Sequence, residues 1–77
     1  MSNPLKAKSI AEFCTLIRAR RNLSMRSFAD EIGMGFVTVN RVENGLTDLP
    51  AKYLKALRPY MSEEEWEHAK ELFWREV

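Results

Sequence analysis

Apolar residues recur at three- and four-residue intervals in five stretches, each bounded by a capping residue, a glycine or a proline, which is the spacing of amphipathic helices. Ile10, Phe13, Cys14 and Ile17 share one face behind Ser9-Ile10-Ala11-Glu12, a capping box with Ser9 as N-cap and Glu12 reaching back to it. The first helix is expected over Ile10–Arg21, with Asn22 suited to a left-handed turn after it. Ser24 is the expected N-cap of a second helix, about Met25–Ile32, with Phe28, Ala29 and Ile32 on its apolar side. Gly33 then reverses the chain at positive φ. Val39 and Val42 form the inward stripe of a third helix, about Phe36–Glu43, ended by Asn44-Gly45. Tyr53, Leu54 and Leu57 give a fourth helix its inward face, with Pro50 in its first turn and Pro59 stopping it after Arg58. Ser62-Glu63-Glu64-Glu65 is a second capping box, its acids at the positive end of the helix dipole. It opens a fifth helix expected to run to the end.

Residues 23–45, two short helices and a tight turn, have the arrangement of a DNA-reading helix-turn-helix, whose second helix can enter a major groove. The stretch resembles the phage repressor and Cro type of helix-turn-helix, the XRE-like family. The tokens are Ile17-Arg18 with Arg21, then Leu23-Ser24, Phe28-Ala29, Ile32-Gly33 and Val42-Glu43-Asn44-Gly45. Each is weak alone; their joint spacing is specific, and it covers roughly Ile17 to Leu57. The resemblance implies an all-α, compact five-helix lambda-repressor-like domain, one unit over residues 1–77. Its helix-turn-helix would occupy about 24–45, at helices two and three, and its last helix, about 62–77, would complete the core and a dimer interface. It also implies a sequence-specific regulator of transcription that binds double-stranded DNA, as a small dimeric repressor. Arg18 and Glu43 would form a partly buried ion pair tying helix one to the end of helix three.

Charge adds a polarity. The total is +1, but residues 1–61 carry ten Lys/Arg against five Asp/Glu, whereas residues 62–77 carry two against six. Phosphate would attract the first part and repel the second. The bland reading, that the acidic last helix is merely soluble, is compatible with this. One cysteine excludes an internal disulfide and fits a reducing cytoplasm. No apolar run approaches a membrane span, and MSNPLKAK lacks the hydrophobic region of a signal peptide. The expectation is therefore a cytoplasmic protein.

With Val39 and Val42 inward, Phe36, Val37, Asn40 and Arg41 share the outer face of helix three. By resemblance these are the positions that touch base edges. Asn40 could pair with adenine, Arg41 could fork onto guanine, and Phe36 or Val37 could pack on thymine methyls. The alternatives are a solvated Asn40, an Arg41 that meets only phosphate or a carboxylate, and a Phe36 tucked between helices. Thr38 stands at the edge of this face, a candidate for the DNA backbone, as are Arg26, Asn44 and Lys52. Each competes with the reading of a solvated surface residue. Lys6 and Lys8 could form a short basic arm.

Three residues depart from the family pattern. Met25 replaces a frequent Gln, removing a phosphate donor, and Gly35 replaces a Ser/Thr cap. The loop Leu46-Thr47-Asp48-Leu49 is free of the basic residues that relatives often carry there. Fewer phosphate contacts imply weaker binding and a shallower salt dependence.

One such domain reads few base pairs, and relatives bind as dimers on half-sites about 34 Å apart. Trp66, Ala69, Phe73 and Val77 form a stripe on helix five that Leu72 and Trp74 broaden. Trp66, Phe73, Trp74 and Val77 are the candidate dimer contacts. Of these, Trp66 and Phe73 are expected to close the core, and Trp74 or Val77 to meet a partner. Cys14 and His68 supply neither a nucleophile–base pair nor enough ligands for a metal, so no enzyme, cofactor or metal is expected. The rival reading is a protein-interaction module on the same fold, an antitoxin or a partner of another regulator, docking through Phe36 and Val37.

Overall fold

The structure, a computed structural model, describes residues 3–76. Five α-helices follow in order: α1 (Ile10–Arg20), α2 (Met25–Ile32), α3 (Phe36–Glu43), α4 (Ala51–Leu57) and α5 (Glu63–Glu76). Short 3₁₀ turns occupy Pro4–Lys6 and Arg58–Tyr60. No strand occurs among the described residues, and no helix there is long and apolar enough to cross a membrane. The fold is all-α with a helix-turn-helix at α2 and α3.

Local chemistry sets most boundaries. Ser9 Oγ accepts from the Glu12 amide at 3.1 Å and starts α1. The reciprocal half of that capping box is replaced from a distance. Glu12 is exposed, and the free amide of Ile10 donates 2.7 Å to Glu76 Oε2 at the far end of α5. A helix start presents several unpaired amides, so a carboxylate delivered by tertiary packing serves as well as a local one. Asn22 takes φ 60°, turning the chain out of α1. Ser24 Oγ accepts from the Ser27 amide at 3.1 Å and starts α2. Gly33 at φ 73° ends it, and the Met34 amide turns back onto the Ala29 carbonyl at 2.9 Å. Pro50 is the N-cap of α4, one position before its first turn, and α4 ends at Leu57, where the Pro59 segment tightens into a 3₁₀ turn.

The helices meet over one core. Phe13, Cys14 and Ile17 of α1, Phe28 of α2, Val39 and Val42 of α3, Tyr53 and Leu57 of α4, and Ala69 and Leu72 of α5 are buried in a single cluster. Full burial of a side chain such as Ile17 or Leu57 contributes about 1.5–3 kcal/mol. Leu49, in the loop before α4, joins them.

Two expectations are corrected here. The stripe on α5 runs through Glu65, Ala69 and Leu72 rather than Trp66, Ala69 and Phe73. Trp66 and Phe73 flank it, half-buried against the core, while Trp74 is 72% exposed. The helix is rotated by about one residue because Glu65 is held inward. Its carboxylate receives Arg20 Nη1 at 2.6 Å and Nη2 at 3.0 Å from α1. It also closes the second capping box, accepting from the Ser62 amide at 2.9 Å while Ser62 Oγ accepts from the Glu65 amide at 3.2 Å. Val77 lies outside the described residues.

The N-terminal segment is not a free basic arm. Asn3 caps the turn at Pro4–Lys6 through a 3.0 Å bond from the Leu5 amide. Pro4 and Ala7 are buried against α1 and α5, leaving Lys6 and Lys8 exposed on a packed strap. His68, packed on the Phe13 ring, lies 3.0 Å from the Ala7 carbonyl through Nε2.

Candidate nucleic-acid interface

The orientation of α3 follows from two valines. Val39 and Val42 are 0% and 1% exposed, packed against α1 and α2. Helical geometry then turns the opposite face outward. Val37 is 58% exposed and Arg41 is exposed, with Phe36 and Asn40 half-buried beside them. These four residues lie on neighbouring positions of a single helix face.

The position of that helix is fixed at its far end. Glu43, its last residue, receives Arg18 Nε at 3.1 and 2.8 Å and Nη2 at 2.9 Å. Arg18 Nη1 donates 2.7 Å to the Leu23 carbonyl, just before α2, and Thr15 Oγ1 adds a 3.3 Å bond to Glu43. One guanidinium thus ties α1, the entrance to α2 and the end of α3 together. The Glu43 carboxylate holds the Arg18 guanidinium above its ordinary range by hydrogen bonding, against the opposing effect of burial.

Midway along α3, Asn40 Nδ2 lies 3.5 Å from Met25 Sδ of α2. An amide nitrogen has two hydrogens, so this weak contact orients the group while leaving one donor and its carbonyl oxygen. Gly35 caps α3 without a side-chain bond. Arg26, exposed on α2, stacks its guanidinium 4.3 Å from the centre of the Phe36 ring. Phe36 therefore leans on the core on one side and carries a cation on another.

The candidate backbone contacts are placed unequally. Asn44 Nδ2 folds back onto the Asn40 carbonyl at 2.8 Å, so part of its donor capacity closes α3. Thr38 is half-buried, and Lys52 is exposed at the start of α4. The ion pairs divide the cations into two groups. Arg18, Arg20, Arg21, Arg58, Lys70 and Arg75 each meet a carboxylate. Arg26, Arg41 and Lys52 meet none among the described residues. The paired cations thus lie on α1 and its C-cap, on α5 and in the turn before it, whereas both arginines of α2 and α3 are without a carboxylate, as are Lys6 and Lys8 of the N-terminal strap and Lys55 of α4, among the described residues.

Away from this face, the single cysteine is buried in the core. Burial pushes the Cys14 thiol up, and the Glu43 and Glu76 carboxylates add to this, so the sulfur stays protonated and unreactive. No group of three metal-ligating side chains occurs among the described residues. The Arg20–Glu65 pair and the Met25–Asn40 contact have no signal in the sequence, since their partners lie 45 and 15 positions apart.

No curated protein and no solved structure matches the chain. A family model described as helix-turn-helix matches residues 16–58, more than half of the 77 residues. Its bounds enclose the Arg18–Glu43 tie, the α2–α3 turn and the outward face of α3. With that span and this geometry together, the chain belongs to the XRE/Cro–C1-type helix-turn-helix family of DNA-binding regulators.

Proposed function

We propose that the protein is a small repressor that occupies an operator in the cytoplasm as a homodimer, one domain per half-site, spanning residues 1–77. In this reading α3 enters the major groove with Val37, Asn40 and Arg41 at base edges and Phe36 at its leading end. Arg26, Thr38, Asn44 and Lys52 meet the sugar–phosphate backbone. The observation that carries the reading is the pairing of buried Val39 and Val42 with an outward face whose arginine lacks a carboxylate partner among the described residues. A cation left unneutralised beside exposed apolar and amide groups suits a base-pair edge, which offers acceptors and methyl groups.

Dimerisation is assigned to the exposed end of α5. Trp74 has the free ring, standing edge-on to Phe73 at 6.1 Å between centroids. Trp66 supports the same helix from the core side. A second reading, docking of another protein, is favoured by one observation. Leu46 is 73% exposed in a loop with no cation, close in sequence to the reading face.

Selection of duplexes from a random pool, followed by gel shifts at 50 and 200 mM salt, tests the proposal. Expected are an enriched two-fold symmetric sequence and affinity that falls as salt rises. Sedimentation is expected to show two chains per duplex, and Trp74→Ser to reduce this to one with the monomer's melting temperature retained. Failure to enrich any duplex overturns the DNA reading in favour of a protein partner.

A further inference from the structure

The sequence suggests Phe36 as a residue that touches thymine directly, but its ring is already engaged from two sides. The core takes one, and the Arg26 guanidinium, 4.3 Å from the ring centre, takes another. We propose that Phe36 is a positioning residue: its ring is the platform that holds the Arg26 guanidinium ready for a DNA phosphate at the edge of the groove. The inference rests on the DNA-binding reading above and assigns the division of labour within it.

Four observations carry it. Arg26 is exposed and has no carboxylate within ion-pair distance among the described residues, although Asp30 stands one turn further along α2. Its charge is therefore available. A guanidinium stacked on an aromatic face covers only its π surface, and all its N–H donors lie in its own plane, pointing away from the contact. Platform and cation come from the first residue of α3 and the second of α2, the helices of the motif that enter the groove and cross the backbone. Finally, Met25 stands beside Arg26 as a thioether without a donor, so Arg26 is the cation that serves this corner. A free arginine side chain samples many rotamers, and a platform that removes most of them before binding leaves less order to be imposed by the phosphate.

The test is a double-mutant cycle, R26Q, F36L and both, on the duplex selected by the wild-type protein. Thermal melts check that each variant is folded. R26Q is expected to weaken binding roughly tenfold, as loss of a charge-assisted hydrogen bond, and to lower the slope of log K against log salt by about one. F36L is expected to weaken binding about three- to fivefold, with the enriched base sequence unchanged. The double variant is expected to be no weaker than R26Q. F36Y, which keeps the ring, is expected to bind like the wild type. In the free protein, the Arg26 side-chain protons are expected upfield of their usual positions from the ring current, which checks the stack even if F36L melts.

Additive losses, unshifted Arg26 protons, or an F36L that changes the preferred base would each overturn the proposal, the last by making Phe36 a base reader. A wild-type protein that enriches no duplex overturns the DNA reading itself, and this inference with it. Binding with additive losses overturns the inference alone.

Discussion

Arg18 Nε lies 2.8 Å from Glu43 Oε2, and the carboxylate is 1% exposed while the guanidinium retains 18%. The pair joins the last turn of α1 to the last residue of α3, so the angle of the outward helix depends on a bond outside the motif's own turn. Removing one partner of such a pair strands the other in a poorly solvated place, at a cost of about 3–5 kcal/mol. That is a large share of the stability of so small a domain. Glu43→Ala is therefore expected to lower the melting temperature by on the order of 15 °C or more, with DNA binding lost through unfolding. A variant that melts cooperatively near the wild-type temperature would count against this role.

Tyr53 makes the opposite case. Its ring fills the core at 0% exposure, yet its Oη is buried without a hydrogen-bond partner among the described residues. Burial also pushes the phenol up, so it stays protonated through the neutral range. An unsatisfied buried hydroxyl carries a desolvation cost of about 1–3 kcal/mol. Tyr53→Phe, which keeps the ring, is expected to be neutral or to raise the urea midpoint. A loss above about 1 kcal/mol would reveal a partner for the hydroxyl.

Acid is expected to loosen α5 from α1. Bonds from Arg20 hold the Glu65 carboxyl below its ordinary value of 4.5, with the Ser62 bonds assisting against burial. A carboxyl depressed in the folded state contributes stability that is complete above its unfolded pKa and is lost as pH falls through the folded one. Urea midpoints are expected to hold at neutral pH and fall progressively below about 4.5. Glu65→Gln is expected to cost about 1–3 kcal/mol at pH 7 and to flatten the acid limb. An unchanged pH dependence in that variant would assign the acid transition to other groups.

Substitutions on the outer face of α3 are expected to separate binding from folding. Val37→Ala, Asn40→Ala and Arg41→Ala remove side chains that the core does not need. Each is expected to melt within about 0.5 kcal/mol of the wild type. Arg41→Ala is expected to forfeit about 1–3 kcal/mol of discrimination at one base pair. Loss of affinity that is uniform across sequences, with the preference intact, would make Arg41 a phosphate contact instead.

The five helices and their turns were legible along the chain because their causes are local. Ser9, Ser24 and Ser62 each cap within three residues, Gly33 and Asn22 take left-handed conformations that few residues tolerate, and the spacing of Val39 and Val42 orients α3. Helical periodicity on α5 was ambiguous by about one residue, since tryptophan and phenylalanine outweigh a glutamate in any hydrophobic pattern. Tertiary packing resolved it by bringing Arg20 to Glu65, a contact whose strength depends on charge and burial rather than on hydrophobicity.

The chain by itself therefore determined where the helices lie and which face of α3 is free, because hydrogen bonds within one turn and a 3.6-residue period are properties of neighbours in sequence. Only the tertiary structure decided which cations stay unpaired, that Glu76 caps α1, and that Phe36 carries Arg26. Those depend on distances between helices, which the packing of Phe13, Ile17 and Leu72 sets and no local rule encodes.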